Sequence, residues 1–116
     1  MGITMMKRAL LIGIDDYDHI DGLAGCVNDV NALAPLLSRN EDNLPNFSCD
    51  TRTSASHRVD RRSMLEAIDR LLAPGADVAL LYFAGHGAAA KNDVVLYTQD
   101  GDDSDPGVSL SSVLGK

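Results

Sequence analysis

The sequence predicts an α/β fold with a mainly parallel sheet, and three observations predict it. Two short apolar runs, residues 8–14 and 78–84, are nearly continuous, as in strands buried on both faces. Around them lie stretches whose apolar residues recur at helical spacing, so that strands and helices alternate. The 116 residues are 45% hydrophobic and 23% charged, which fits one globular core and excludes a disordered or fibrous chain.

Taken in order, residues 8–14 form the first predicted strand and residues 15–25, polar and glycine-containing, a loop. Val27, Val30, Leu33, Ala34 and Leu37 predict a helix over 26–38. Pro35 lies inside it, and the loss of one helical hydrogen bond predicts a kink or an early stop there. Residues 39–46 read as a polar loop and 47–51 as a short strand. Asp60 is a predicted N-cap for a second helix, whose stripe is Met64, Leu65, Ile68, Leu71 and Leu72 and whose stop is Pro74-Gly75. Residues 78–84 carry the strongest strand signal and are read as the central strand. Residues 93–98 read as another strand, 99–106 as a charged loop, and 109–114 as the start of a third helix. No strand follows to close the sheet, so the chain reads as a piece of a larger domain.

Ten Lys and Arg against seventeen Asp and Glu give a net charge of −7, which repels phosphate backbones. With aromatics at 4% and no Trp, base-stacking platforms are also scarce, so no nucleic-acid partner is expected. The longest apolar run is too short to span a bilayer, and no membrane partner is expected. The N-terminus lacks a signal-peptide pattern, and Met1-Gly2 is not followed by the Ser or Thr that myristoylation favours. Two cysteines, Cys26 and Cys49, are too few for a disulfide scaffold, so a reducing, cytoplasmic setting is expected.

Ligand sites on parallel sheets lie beyond the carboxyl ends of the strands, which directs attention to residues 15–25 and to Gly85 onward. His86, between Gly85 and Gly87, follows a strand directly and is a candidate acid or base near neutral pH, against the plainer alternative of a histidine satisfied in a turn. Gly85, Gly87 and Ala90 also fit a Gly-x-Gly-x-x-Ala dinucleotide pattern. That mechanism requires a helix to begin there, whereas Lys91-Asn92-Asp93 and another strand follow. Cys26 and Asp29 share a face of the first helical turn, where a helix N-terminus can lower a thiol pKa and make Cys26 a nucleophile; a small buried hydrophobe is the simpler role. Asp100, Asp102, Asp103 and Asp105 crowd one loop, which reads as a solvated acidic loop or a set of hard calcium ligands without the EF-hand pattern. The three histidines show no zinc spacing, and no metal ligand is assigned.

Four segments in order, residues 8–14, Leu23-Ala24-Gly25-Cys26-Val27-Asn28-Asp29-Val30, Leu80-Leu81-Tyr82-Phe83-Ala84-Gly85-His86-Gly87, and the acidic loop, resemble the caspase-like cysteine peptidases of the metacaspase and orthocaspase branch. The resemblance implies a three-layer caspase-haemoglobinase fold with a mainly parallel central sheet, incomplete here. It implies that residues 1–116 are the N-terminal part of one catalytic domain, ending before the strand that bears the nucleophilic cysteine. His86 resembles the histidine of the Cys-His dyad, and Gly87 resembles an oxyanion-hole donor through its backbone N–H. Asp29 with Cys26 beside it, and Asp16 in the adjoining loop, resemble the pocket for the residue before the scissile bond. A carboxylate there favours Arg or Lys, so the implied activity is endopeptidase cleavage after basic residues of a peptide or protein. The implied partner is the remaining C-terminal part of the domain, without which this chain alone is expected to be inactive. Calcium is the one cofactor the acidic loop's resemblance raises. A chain ending on Lys116 fits a cut by such a peptidase and equally fits unrelated proteolysis. A catalytically inactive interaction module of the same fold is the alternative.

Overall fold

The computed structural model describes residues 5–115; Met1-Gly2 and Lys116, on which two expectations rest, lie outside them. Strands β1 (Lys7–Gly13), β2 (Ser48–Thr53) and β3 (Val78–Ala84) form a parallel sheet in the order β2-β1-β3. Helix α1 (Cys26–Ser38) connects β1 to β2, and α2 (Arg61–Leu71) connects β2 to β3. A second, antiparallel sheet follows, built from β4 (Gly87–Ala90), β5 (Asp93–Tyr97) and β6 (Gly107–Ser109), and a short helix α3 (Leu110–Leu114) comes last.

The unbroken apolarity of β1 has a direct structural reason. Leu10 and Ile12, with Ile14 just beyond, pack on one face against Met64, Ala67, Ile68 and Leu71 of α2. Ala9 and Leu11 pack on the other face against Val30 and the partly buried Leu33, Ala34 and Leu37 of α1. With a helix on each side the sheet is the middle of three layers, and alternation of polar and apolar residues would expose one face to the wrong solvent. Residues 9–14 are accordingly almost wholly excluded from water.

The helices follow local chemistry with one exception. Asp60 caps α2 by accepting the N–H of Ser63 at 2.9 Å, and Met64, Ala67, Ile68 and Leu71 bury one stripe, while Leu72 is exposed just past the helix end. Pro35 does not stop α1, which continues to Ser38. Pro35 and Leu36 are on the exposed side, where a missing N–H costs least because water can serve the freed carbonyl, and the Ser38 hydroxyl donates to Ala34 C=O at 2.7 Å.

Three further features differ from the sequence expectation. The central strand of the sheet is β1, and β3, read as central, is paired on one side only among the described residues. Gly87–Ala90, expected as loop, is a strand that forms a hairpin with β5 across Lys91-Asn92, with Asn92 in the left-handed region at φ 59°. Gly107–Ser109 pairs with the other edge of β5. Because a strand and not a helix follows Gly85, the helix N-terminus required for a dinucleotide pyrophosphate is absent from this stretch. No helix among the described residues is long and apolar enough to cross a membrane.

Candidate active site

The site forms where the loops leaving the carboxyl ends of β1 and β3 meet. Two close approaches make that meeting possible. A Cβ on Gly13 would lie 2.6 Å from the backbone oxygen of Cys26, so α1 begins directly over the end of β1 only because that position is bare. A Cβ on Gly85 would lie 2.6 Å from the Tyr17 hydroxyl, so this position too admits the neighbouring loop.

His86 stands half-buried just past the end of β3. Its Nε2 is 2.9 Å from the backbone oxygen of Asp21. A carbonyl only accepts, so Nε2 carries the proton of the neutral ring and Nδ1 is left with a lone pair. The backbone N–H of His86 donates to the Tyr17 hydroxyl at 2.8 Å. Tyr17 and Tyr97 flank the imidazole, with ring centroids at 5.0 Å and 6.1 Å respectively. Tyr97 is in turn fixed by a 3.1 Å hydrogen bond from its hydroxyl to Asp103.

Gly87 is the first residue of β4, opposite Leu96. The N–H of Tyr97 donates to His86 C=O at 3.0 Å, which makes His86–Tyr97 a bonded pair of the antiparallel ladder. Pairs alternate, so Gly87–Leu96 is a non-bonded pair and the Gly87 N–H turns away from β5. His86 and Gly87 together line an open, mostly polar cleft of about 440 Å³ with His19, Ile20, Asp21, Tyr97 and Asp103.

Cys26 and Asp29 occupy the first turn of α1, outside the lining of that cleft. Gly25, the residue before the helix, supplies no side-chain cap. The carboxylate of Asp15 does so from the preceding loop, accepting the N–H of Cys26 at 2.9 Å and of Val27 at 3.2 Å. Burial pushes the Cys26 thiol up, and the hydrogen bond and charge of Asp15 and the charge of Asp29 add to the rise. The lowered thiol pKa expected from a helix N-terminus is therefore reversed, because burial raises it first and the two carboxylates add to the rise. Asp29 is exposed, and no hydrogen bond to its carboxylate occurs among the described residues. Asp16 is also exposed and contributes its backbone carbonyl to Gln99 Nε2 at 3.0 Å.

Asp15, Tyr17 and Gln99 are the residues that sequence reasoning missed. Gln99 is buried and holds three segments together: its Nε2 donates to Asp16, its Oε1 accepts Val59 N–H at 2.6 Å, and its backbone N–H donates to Val59 C=O at 2.8 Å. A tyrosine inside an acidic loop was the one available signal for Tyr17, since an aromatic there is out of character with its polar neighbours. The acidic loop distributes its carboxylates among separate partners. Asp100 accepts from Thr98 and Arg61, Asp102 from Ser104 and Asp105, Asp103 from Tyr97, and Asp105 pairs with Arg61. Among the described residues no three His, Cys, Asp or Glu side chains converge to hold a metal ion.

A family model for the caspase domain, peptidase C14, matches residues 6–106. The chain belongs to this caspase-domain family of cysteine peptidases. It is 30% identical over 106 residues to Metacaspase-1 of Schizosaccharomyces pombe, an overlap of 85% of this chain and 23% of that protein. It is 33% identical over 109 residues to Metacaspase-6 of Arabidopsis thaliana, covering 89% of this chain and 27% of the relative. With Metacaspase-1 of Plasmodium falciparum the identity is 33% over 95 residues, covering 74% and 15%. The chain thus spans roughly a quarter or less of the length of these relatives.

Proposed function

We propose that this chain is the histidine-bearing part of a cysteine endopeptidase that cuts after Arg or Lys. The observation that carries the proposal is the pairing, in one cleft, of a His86 imidazole protonated toward Asp21 with a Gly87 N–H turned away from its ladder. The nucleophile is a cysteine outside the 116 residues. His86 Nδ1 takes the thiol proton, the sulfur adds to the scissile carbonyl carbon, and the Gly87 N–H donates to the oxyanion that forms. As the C–N bond breaks, the imidazolium returns its proton to the leaving amine, and a water activated by the same imidazole then hydrolyses the thioester.

In this reading Asp29 meets the basic side chain of the substrate beside Cys26, with Asp16 at the rim of the same pocket. Asp15 is spent on the helix N-terminus, whereas the Asp29 carboxylate is exposed and ready for a guanidinium or ammonium. Residues 1–116 then form the N-terminal part of one catalytic domain, and the rest adds to the edge of β3 that has no partner strand among the described residues. An apolar groove beside that edge, lined by Leu71, Leu72, Ala79, Leu81, Leu110, Val113 and Leu114, supports this, since an exposed strand edge next to apolar surface favours a further strand. A reducing cytoplasmic setting suits two cysteines that are both free thiols. A calcium requirement would draw on ligands additional to the four loop aspartates.

The test uses the full-length protein and peptides carrying a reporter after Arg or Lys. Hydrolysis is expected, and His86→Ala should lower kcat by about 10²- to 10⁴-fold, the usual contribution of a positioned acid-base group. An undiminished rate in that variant overturns the proposal. Absence of hydrolysis by the parent would favour the inactive interaction module.

A further inference from the structure

Tyr17 lies 69 residues before His86 in the chain, yet it touches the histidine in two independent ways. Its hydroxyl accepts the His86 backbone N–H at 2.8 Å, and its ring stands 5.0 Å from the imidazole at an interplanar angle of 59°. Gly85 is bare where any side chain would strike that hydroxyl, so the residue beside the histidine accommodates the tyrosine. The ring also packs against the core cluster built on Leu10, Ile12 and Ile14, which anchors it from below. Tyr97 also stands against the imidazole, edge-on at 6.1 Å, and Asp21 holds Nε2.

We propose that Tyr17 is a positioning residue for His86, its hydroxyl holding the turn after β3 and its ring setting the plane of the imidazole. The hydroxyl fixes the peptide plane before His86, which limits the directions in which its side chain can leave the backbone. The tilted ring then restricts rotation about the last side-chain bond, so that Nε2 stays on Asp21 and Nδ1 keeps one heading. Burial pushes the Tyr17 phenol up to about 12, so the brace does not titrate where an imidazole does. The inference rests on the reading of His86 as the catalytic base, but its structural content is separable from activity.

The experiment compares the full-length parent with Tyr17→Phe and Tyr17→Leu, labelled with ¹⁵N at histidine. The phenylalanine keeps the packing and loses only the acceptor. We expect a thermal midpoint lower by no more than a few degrees, faster exchange and an altered shift of the His86 amide, and a kcat on Arg and Lys peptides lower by about tenfold with KM unchanged. Tyr17→Leu, which also loses the ring, should in addition mix the tautomers of the His86 imidazole in its ¹⁵N spectrum. Unchanged His86 amide and imidazole signals in both variants overturn the proposal, whatever the activity. If the parent hydrolyses nothing while the His86 signals move as expected, the positioning role stands and the peptidase reading falls.

Discussion

Asp15, Asp16 and Asp29 are the same residue type within fifteen positions, and their surroundings give them different work. Asp15 caps α1 through two backbone N–H groups, Asp16 uses its carbonyl to receive Gln99, and Asp29 keeps an exposed carboxylate. Asp16 and Asp29 both keep exposed carboxylates, and Asp29 is the one that stands beside Cys26 on the first turn of α1. If the full-length protein has the proposed activity, Asp29→Asn should raise KM for Arg and Lys peptides about 10- to 100-fold, the equivalent of one charge-assisted hydrogen bond, with a smaller effect on kcat. Steady-state kinetics check this, and an unchanged KM would remove Asp29 from the pocket. Cys26 shows the same dependence on neighbours. Its helix-terminal position would favour a thiolate, but burial and the carboxylates of Asp15 and Asp29 keep the thiol protonated.

At the scale of elements, the contact between β1 and α1 determines where the Cys26–Asp29 turn stands. Gly13 sits beneath it, with the Cys26 carbonyl and Val30 Cγ2 at 2.6 and 2.9 Å from where a Cβ would be. Gly13→Ala should destabilise the full-length protein by about 1–3 kcal/mol, as overpacking of a tight contact does, because the first neighbour is backbone and cannot rotate away. Urea unfolding measures it, and a midpoint equal to the parent's would show that α1 slides without cost. The elements that escaped the sequence are those with no local signal. Gly87–Ala90 contains no β-branched or aromatic residue, and it is extended because β5 offers a bonded edge three residues away. By contrast α2 has a cap, a stripe and a Pro-Gly terminator that agree with one another, and it formed as read except for Leu72, which is exposed just past its end.

For the molecule as a whole, the excess of acid is tolerated because the carboxylates are distributed among donors. Hydrogen bonds from the Ser111 side chain and backbone hold Asp93 below the ordinary carboxylate value, Ser104 and Asp105 do so for Asp102, and Arg58 does so for Asp18. For Asp100 burial pulls upward, but the Thr98 hydroxyl and the Arg61 N–H prevail and the carboxyl is lowered. A group with a depressed folded pKa binds fewer protons folded than unfolded across the window between its two values. The stability it contributes is therefore present above the ordinary value of 3.8 and is lost as pH falls below it toward the folded value. The urea midpoint should stay level from pH 7 to about 5 and decline below about 4, with a shallower decline in Asp93→Asn. A midpoint that does not fall between about pH 5 and 3 would contradict this account.

By itself the sequence determined the class of fold, most element positions and the strand end at which the candidate site is proposed. Those are local matters: an apolar run of strand length, helical spacing between such runs, Asp60 before a stripe, and a histidine between glycines at a strand's end. Tertiary structure alone decided which apolar run is central, because β3 is the more continuously apolar of the two and yet their pairing puts β1 in the middle. It also decided what surrounds His86. Tyr17 and Asp21 lie 69 and 65 residues away in the chain; Tyr17 stands out in residues 15–25 as the one side-chain hydroxyl, but nothing there says that it will reach the histidine or which carbonyl will face the imidazole. The choice between Asp15 and Asp16 as the cap of α1 was of the same kind. The two are adjacent and chemically alike, and the bonds from Ser54 and Gln99 that orient their loop come from distant parts of the fold.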